Sequence, residues 1–196
     1  LPDWSAQCHA PQSAGHQPSF APPRLHYTAS VSIPDADLHL LQRLLQAQRL
    51  AALATLHRGE PAASMVPFAL LPACGSAVIH VSRLATHSKD MQEQPAVALL
   101  VQAEAQEGDN PLARPRLSLK GRALPCPPDS PRYAAARAAY LERLPEALDL
   151  FSFPDFSLLL IEPQSARFVA GFGRAYALTA ERWRAVLAPT ASAAGN

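Results

Sequence analysis

Leu38, Leu41, Leu44 and Leu45, with Leu40 beside them, recur at helical spacing while Gln42, Arg43 and Gln46 fall on the opposite side. The pattern predicts an amphipathic helix over 35–48. Ser32-Ile33-Pro34-Asp35 supplies its start: a hydroxyl cap, a proline in the first turn and an acid three residues on. Beyond it the period shortens. LAALATLH (50–57) and PAASMVPFALL (61–71) flank the turn Arg58-Gly59-Glu60 as a hairpin would, and a third strand covers 77–82. A short helix is expected over Thr86 to Glu93, ending before Pro95, and AVALLVQA (96–103) reads as a buried strand.

The segment RPRLSLKGRAL (114–124) alternates. In an extended chain every second side chain shares a face, so Arg114, Arg116, Ser118, Lys120 and Arg122 line one side and Leu117, Leu119 and Ala123 the other. Such a face attracts anions; it is equally the solvated side of a half-buried strand. Ser130-Pro131 opens a helix over about 131–143, continuing loosely to Leu150. Strands follow over 156–162 and 165–177, the second with a Gly171-Phe172-Gly173 that suggests a bulge. Thr179 caps a last helix with Trp183, Val186 and Leu187 on its apolar side. Six or seven strands with antiparallel connections and peripheral helices give an α+β, mainly β class, with a barrel as the natural closure.

Residues 1–31 hold Pro2, Pro11, Pro18, Pro22 and Pro23 among Gln, Ser and His without periodicity, and read as a flexible arm before a domain over 32–188 and a tail over 189–196. Net charge is +1 and 17% of residues are charged, which gives no global signature of nucleic-acid or anionic-membrane binding. No apolar run reaches the roughly 18 residues of a membrane span. Cys8, Cys74 and Cys126 are an odd number without metal-ligand spacing, so neither a disulfide framework nor a metal site is expected, and a cytoplasmic setting fits. Lysine is rare: against 15 arginines there are only Lys89 and Lys120.

Lys89 lies in VSRLATHSKDMQE (81–93), where an apolar strand stops and Ser82, Thr86, His87, Ser88 and Lys89 gather at a helix start. Hydroxyls, a cation and unpaired amides at a helix N-terminus suit a phosphate. The competing reading makes Thr86 an ordinary N-cap and Lys89 a solvated first-turn residue.

The succession of helix, LAALATLHRGEPAASMVPFAL, AVIHVSRLATHSKDMQEQPAVALLV, DNPLARPRLSLKGRA and ARFVAGFGRAYAL resembles the pyridoxamine 5′-phosphate oxidase-like, FMN-binding split-barrel family. Within it the chain looks closest to the heme-utilisation (HugZ-like) branch, over about residues 35–188. The resemblance implies a six-stranded antiparallel split β-barrel with peripheral helices, acting as a homodimer with FMN in clefts at the interface. By the same resemblance Ser82, Thr86, His87, Ser88 and Lys89 fall where the family grips the FMN phosphate. Ser64, Met65, Val66 and Pro67 fall on the strand that passes the isoalloxazine edge, and Arg116 where a polar side chain reaches the cofactor. Arg174 is open to two roles, meeting a ligand carboxylate or phosphate, or pairing with Glu162 or Asp155.

The chain departs from the family in two places. Gly171-Phe172-Gly173-Arg174-Ala175-Tyr176 stands where pyridoxamine phosphate oxidases carry an Arg-Leu-His-type motif, so vitamin B6 oxidation is not expected. Heme-degrading members use a histidine near the C-terminus, and no histidine follows His87 here. The expectation is an FMN-binding flavoprotein, an oxidoreductase acting on an unidentified small molecule. The alternatives are an FMN- or heme-binding protein without turnover, and a dimeric interaction module. No general acid, base or nucleophile constellation demands catalysis.

Overall fold

The computed structural model describes residues 33–188. The arm, the Ser32 cap and the tail lie outside them. Helix α1 spans Asp35–Ala47 and buries Leu41, Leu44 and Leu45, as the leucine spacing requires. Its N-cap is Pro34, whose carbonyl accepts the N–H groups of Asp37 and Leu38, both at 2.9 Å.

Strands β1 (Leu50–His57) and β2 (Glu60–Pro67) form the expected hairpin, in register from Leu50↔Pro67 to His57↔Glu60. Both turn residues are left-handed, Arg58 at φ 53° and Gly59 at φ 87°, as a type I′ turn matched to strand twist requires. The strand expected over 61–71 breaks at Phe68. Phe68 closes the hairpin one step beyond the Leu50↔Pro67 pair, its N–H donating to the Arg49 carbonyl at 3.1 Å. The next residues, β3 (Ala69–Leu71), pair instead with β4 (Ser76–Ser82), so the chain steps from one half of the sheet to the other.

Helix α2 (Thr86–Glu93) then leads to β5 (Ala96–Gln102) and β6 (Arg116–Pro125). Helix α3 (Tyr133–Arg143) starts two residues later than expected and is followed by a 3₁₀ segment, Pro145–Ser152. The strands expected over 156–162 and 165–177 are one strand for most of their length: β7 runs unbroken over Phe156–Gly171, and the turn falls at Phe172-Gly173 before β8 (Arg174–Thr179). Pro163 does not end β7 because it sits opposite Gly121 at a bulge, where the register shifts between Lys120 and Gly121. A Cβ on Gly121 would lie 2.3 Å from the Glu162 carbonyl oxygen, so only glycine lets the two backbones approach there. Helix α4 (Ala180–Leu187) is capped as expected, the Thr179 Oγ1 accepting the Arg182 N–H at 3.3 Å.

All pairings are antiparallel, in the order β2-β1-β5-β6-β7-β4-β3 with β8 on β7, which makes eight strands among the described residues rather than six. The class, a mainly β α+β split barrel, is as expected. Leu53, Val66, Ile79, Leu99, Leu117, Ile161 and Phe168 fill the inside, joined by Leu41 from α1 and Trp183 from α4. Outside the barrel, Val78, Leu158 and Leu160 meet Ala136, Tyr140 and Leu144 of α3 in a second core. No described helix is long and apolar enough to cross a membrane.

Candidate cofactor site

Residues paired across a sheet put their side chains on one face. On the outer face, Met65 is opposite Ala52, Ala52 opposite Leu100, Leu100 opposite Ser118 and Ser118 opposite Arg167. The adjoining row is Ala63, Ala54, Ala98, Lys120 and Ser165, and Leu50 faces Pro67. β1, β2 and β5 therefore contribute an apolar surface on which Met65 is 60%, Leu50 51% and Leu100 39% exposed. Its flank is the basic side of β6, where the burial alternation places Arg116, Lys120 and Arg122 outward and Leu117, Leu119 and Ala123 inward. Of the predicted strand residues, Met65, Pro67 and Arg116 belong to this outer face. Ser64 and Val66 point the other way, Val66 into the barrel core and the Ser64 Oγ into a buried position without a partner.

At the end of β4 the turn is tied by its own hydroxyls. The Ser82 Oγ donates to Asp155 Oδ2 at 2.6 Å and accepts the Leu84 N–H at 3.1 Å. The Ser88 Oγ donates to the Ser82 carbonyl at 2.7 Å and is buried. Two of the five residues expected to hold a phosphate thus shape the turn. Thr86 is not the N-cap: Ala85 holds that position, and no side chain caps α2. Thr86 and Lys89 are exposed beside a helix start whose first amides lack a side-chain acceptor, a place that favours an anion. The His87 Nε2 is buried without a partner, and burial lowers the imidazole pKa against the opposing charge of Asp90.

Two carboxylates escaped the sequence reading. Asp90 is buried, its Oδ1 2.7 Å from the His57 Nδ1 and its Oδ2 accepting the Thr55 hydroxyl at 2.9 Å. The hydrogen bond with His57 holds Asp90 below the usual carboxylate range, aided by Thr55 and opposed by burial. The pair pins α2 to β1. Asp37, also buried, accepts from the Arg174 Nη1 at 2.6 Å and from the Tyr176 hydroxyl at 2.5 Å. Neither partner expected for Arg174 is used: Glu162 pairs with Arg132 at 2.6 Å and Asp155 with Ser82. Strand alternation puts Thr55 and His57 toward whatever covers the hairpin, but only the fold supplies Asp90.

One chain does not gather all eleven predicted residues. Met65, Pro67 and Arg116 share the outer sheet face, Ser82, His87, Ser88 and Lys89 with Thr86 form the α2 start, and Arg174 is joined to α1. Two cavities elsewhere, one around His80 and one along the loop 103–115, are lined by none of the eleven.

Residues 39–170 match the sequence profile of pyridoxamine 5′-phosphate oxidase. The chain belongs to this family. Within the family it is 36% identical over 120 residues to the non-canonical heme oxygenase HOZ, chloroplastic, of Arabidopsis thaliana, covering 61% of this chain and 35% of that protein. It is 29% identical over 143 residues to the heme oxygenase HutZ of Vibrio cholerae, covering 72% and 80%. Among solved structures, a heme binding protein from Mycobacterium smegmatis superposes with a TM-score of 0.69 at 33% identity, over 79% of this chain and 62% of that one. The chain spans about a third of the plant protein's length and under two thirds of the mycobacterial one. These relatives are those of the heme-utilisation branch.

Proposed function

We propose that the protein binds heme on the outer face of β1, β2, β5 and β6, as a homodimer whose second copy covers the apolar part of that face. The observation that carries this reading is the joining of a flat apolar surface, Met65, Leu50 and Leu100, to a row of cations, Arg116, Lys120 and Arg122, with Arg167 on the next strand. A porphyrin asks for that combination: an apolar plane to bury and cations for two carboxylates. The heme-named relatives support it. Among the described residues no histidine stands on this face; what these residues supply is ring burial and charge pairing. Heme brings redox chemistry at iron when bound; the chain's part is to bury the ring, pair its carboxylates and exclude water. Cys74 and Cys126 are free thiols, which agrees with a reducing compartment such as the cytoplasm.

FMN is the second reading. It is favoured by the uncapped α2 start with Thr86 and Lys89 exposed, and weakened by the engagement of the Ser82 and Ser88 hydroxyls within the turn. In that reading the flavin serves an oxidoreductase acting on a small molecule. Parallel titrations separate the two, with hemin followed by its Soret band and FMN by fluorescence quenching. The expected result is saturation by hemin at about 1 μM and FMN binding at least tenfold weaker. Tighter FMN than hemin would reverse the assignment. Light scattering on the same samples is expected to give twice the 21.0 kDa chain mass, and a monomer would remove the dimer.

A further inference from the structure

On the side of β4 that faces away from the barrel, a cavity of about 160 Å³ opens between the strand and the second core. His80, Cys126, Tyr133, Phe151, Phe156 and Leu158 line it, with prolines at its rim. The His80 imidazole is only 6% exposed and is held by rings on three sides. Phe151 stacks on it at 4.0 Å and 11°, Tyr140 meets it edge-on at 5.8 Å, and Phe156 lies at 5.3 Å. Its Nδ1 is buried without a hydrogen-bond partner. A buried polar atom left unsatisfied is costly unless something completes it.

We propose that this cavity is a second binding site, for a small uncharged hydroxyaromatic molecule of the phenol class. Its size is that of one six-membered ring with a substituent and excludes a flavin or a porphyrin. The aromatic walls offer stacking and edge contacts to a ring. No charged side chain lines the cavity, so a charged ligand would lose its hydration without recompense. The imidazole fixes the polar substituent. Burial lowers the His80 pKa to about 4, so the ring is neutral near pH 7, with one N–H and one lone pair. A hydroxyl both donates and accepts and therefore serves either tautomer. Water fills the space less well: it holds several molecules' worth of volume, and each would want two to four polar partners, where the lining side chains offer the imidazole, a thiol and the hydroxyls of Tyr133 and Ser157.

The test compares phenol with toluene, which has the same ring without the hydroxyl, on the full chain by NMR, following the His80 imidazole resonances in the native protein and the ring resonances of Tyr133, Phe151 and Phe156 in both the native protein and the variant. Phenol is expected to shift the His80 resonances along a saturable curve, and toluene to bind at least fivefold more weakly. In His80→Phe the ring stack is kept and the unpartnered nitrogen removed. That variant is expected to unfold at a temperature no lower than the native protein and to bind both probes alike. Absence of a saturable shift at His80, equal affinity for the two probes in the native chain, or a phenol preference that survives in His80→Phe would each overturn the proposal. The comparison in the native chain stands even if the variant fails to fold.

Discussion

Burying a carboxylate without donors costs several kcal/mol, whereas an exposed ion pair contributes about 0–1 kcal/mol. The donors around Asp37 and Asp90 therefore matter more than the exposed Arg49–Glu146 pair. They also explain Arg174: its guanidinium is 54% exposed, yet its partner carboxylate is 5% exposed, so Arg174 neutralises a buried charge on α1 before it can serve any ligand. His80 is the opposite case, a buried base with nothing to satisfy it. Its folded pKa, about 4, lies below the ordinary 6.5, so the unfolded chain takes up the proton first. Stability from this group is complete above pH 6.5 and lost as the pH falls toward 4. Relative to His80→Phe, the native protein is expected to lose roughly 1–2 kcal/mol of unfolding free energy between pH 7 and 5. Urea titrations of both proteins read this, and a pH-independent difference would contradict it. Neither buried carboxylate announces itself in the sequence. Asp37 in the first turn of α1 and Asp90 within α2 read as ordinary solvated helix positions, and their partners lie 137 and 33 residues away.

At the scale of elements, local chemistry was legible where one segment suffices. The leucine period gave α1, Pro95 the end of α2, Thr179 the cap of α4, and two-residue alternation the basic side of β6. It failed where two segments decide together. Pro163 looks like a strand breaker until Gly121 is placed opposite it, and residues 61–71 look like one strand until Ala69–Leu71 are seen pairing with β4 instead of β1. The bulge carries its own prediction. In Gly121→Ala the new methyl meets backbone, which cannot rotate aside, so a loss of about 2–3 kcal/mol is expected. In Gly59→Ala, where nothing lies within 4 Å of the new atom, only the left-handed φ of 87° is penalised, at about 1 kcal/mol. Thermal unfolding of the two variants orders them, and a Gly59→Ala cost equal to or above that of Gly121→Ala would refute the close-approach argument.

For the whole molecule, the strand order is what turns scattered residues into a surface. Met65, Leu100 and Arg116 come from strands 35 and 16 residues apart in sequence, and only the path β2-β1-β5-β6 sets them side by side. The basic half of that face could be read from β6 alone; the apolar half could not, because alanine-rich strands give no sign of which side is covered. The order also accounts for the turn after β4. Ser82 was legible as a hydroxyl near a helix start, but its partner Asp155 comes from the approach to β7, which makes it a fixture of the fold. The central claim is that the outer face holds the ring and its carboxylates, and hemin titration of two variants beside the native chain tests it most directly. Met65→Glu places a charge in the apolar part, and the double variant Arg116→Ala with Lys120→Ala removes two of the cations. Both are expected to unfold within a few degrees of the native protein and to bind hemin at least tenfold more weakly, about 1.4 kcal/mol or more. Soret titration curves that superpose on the native one would show that heme, if bound, sits elsewhere.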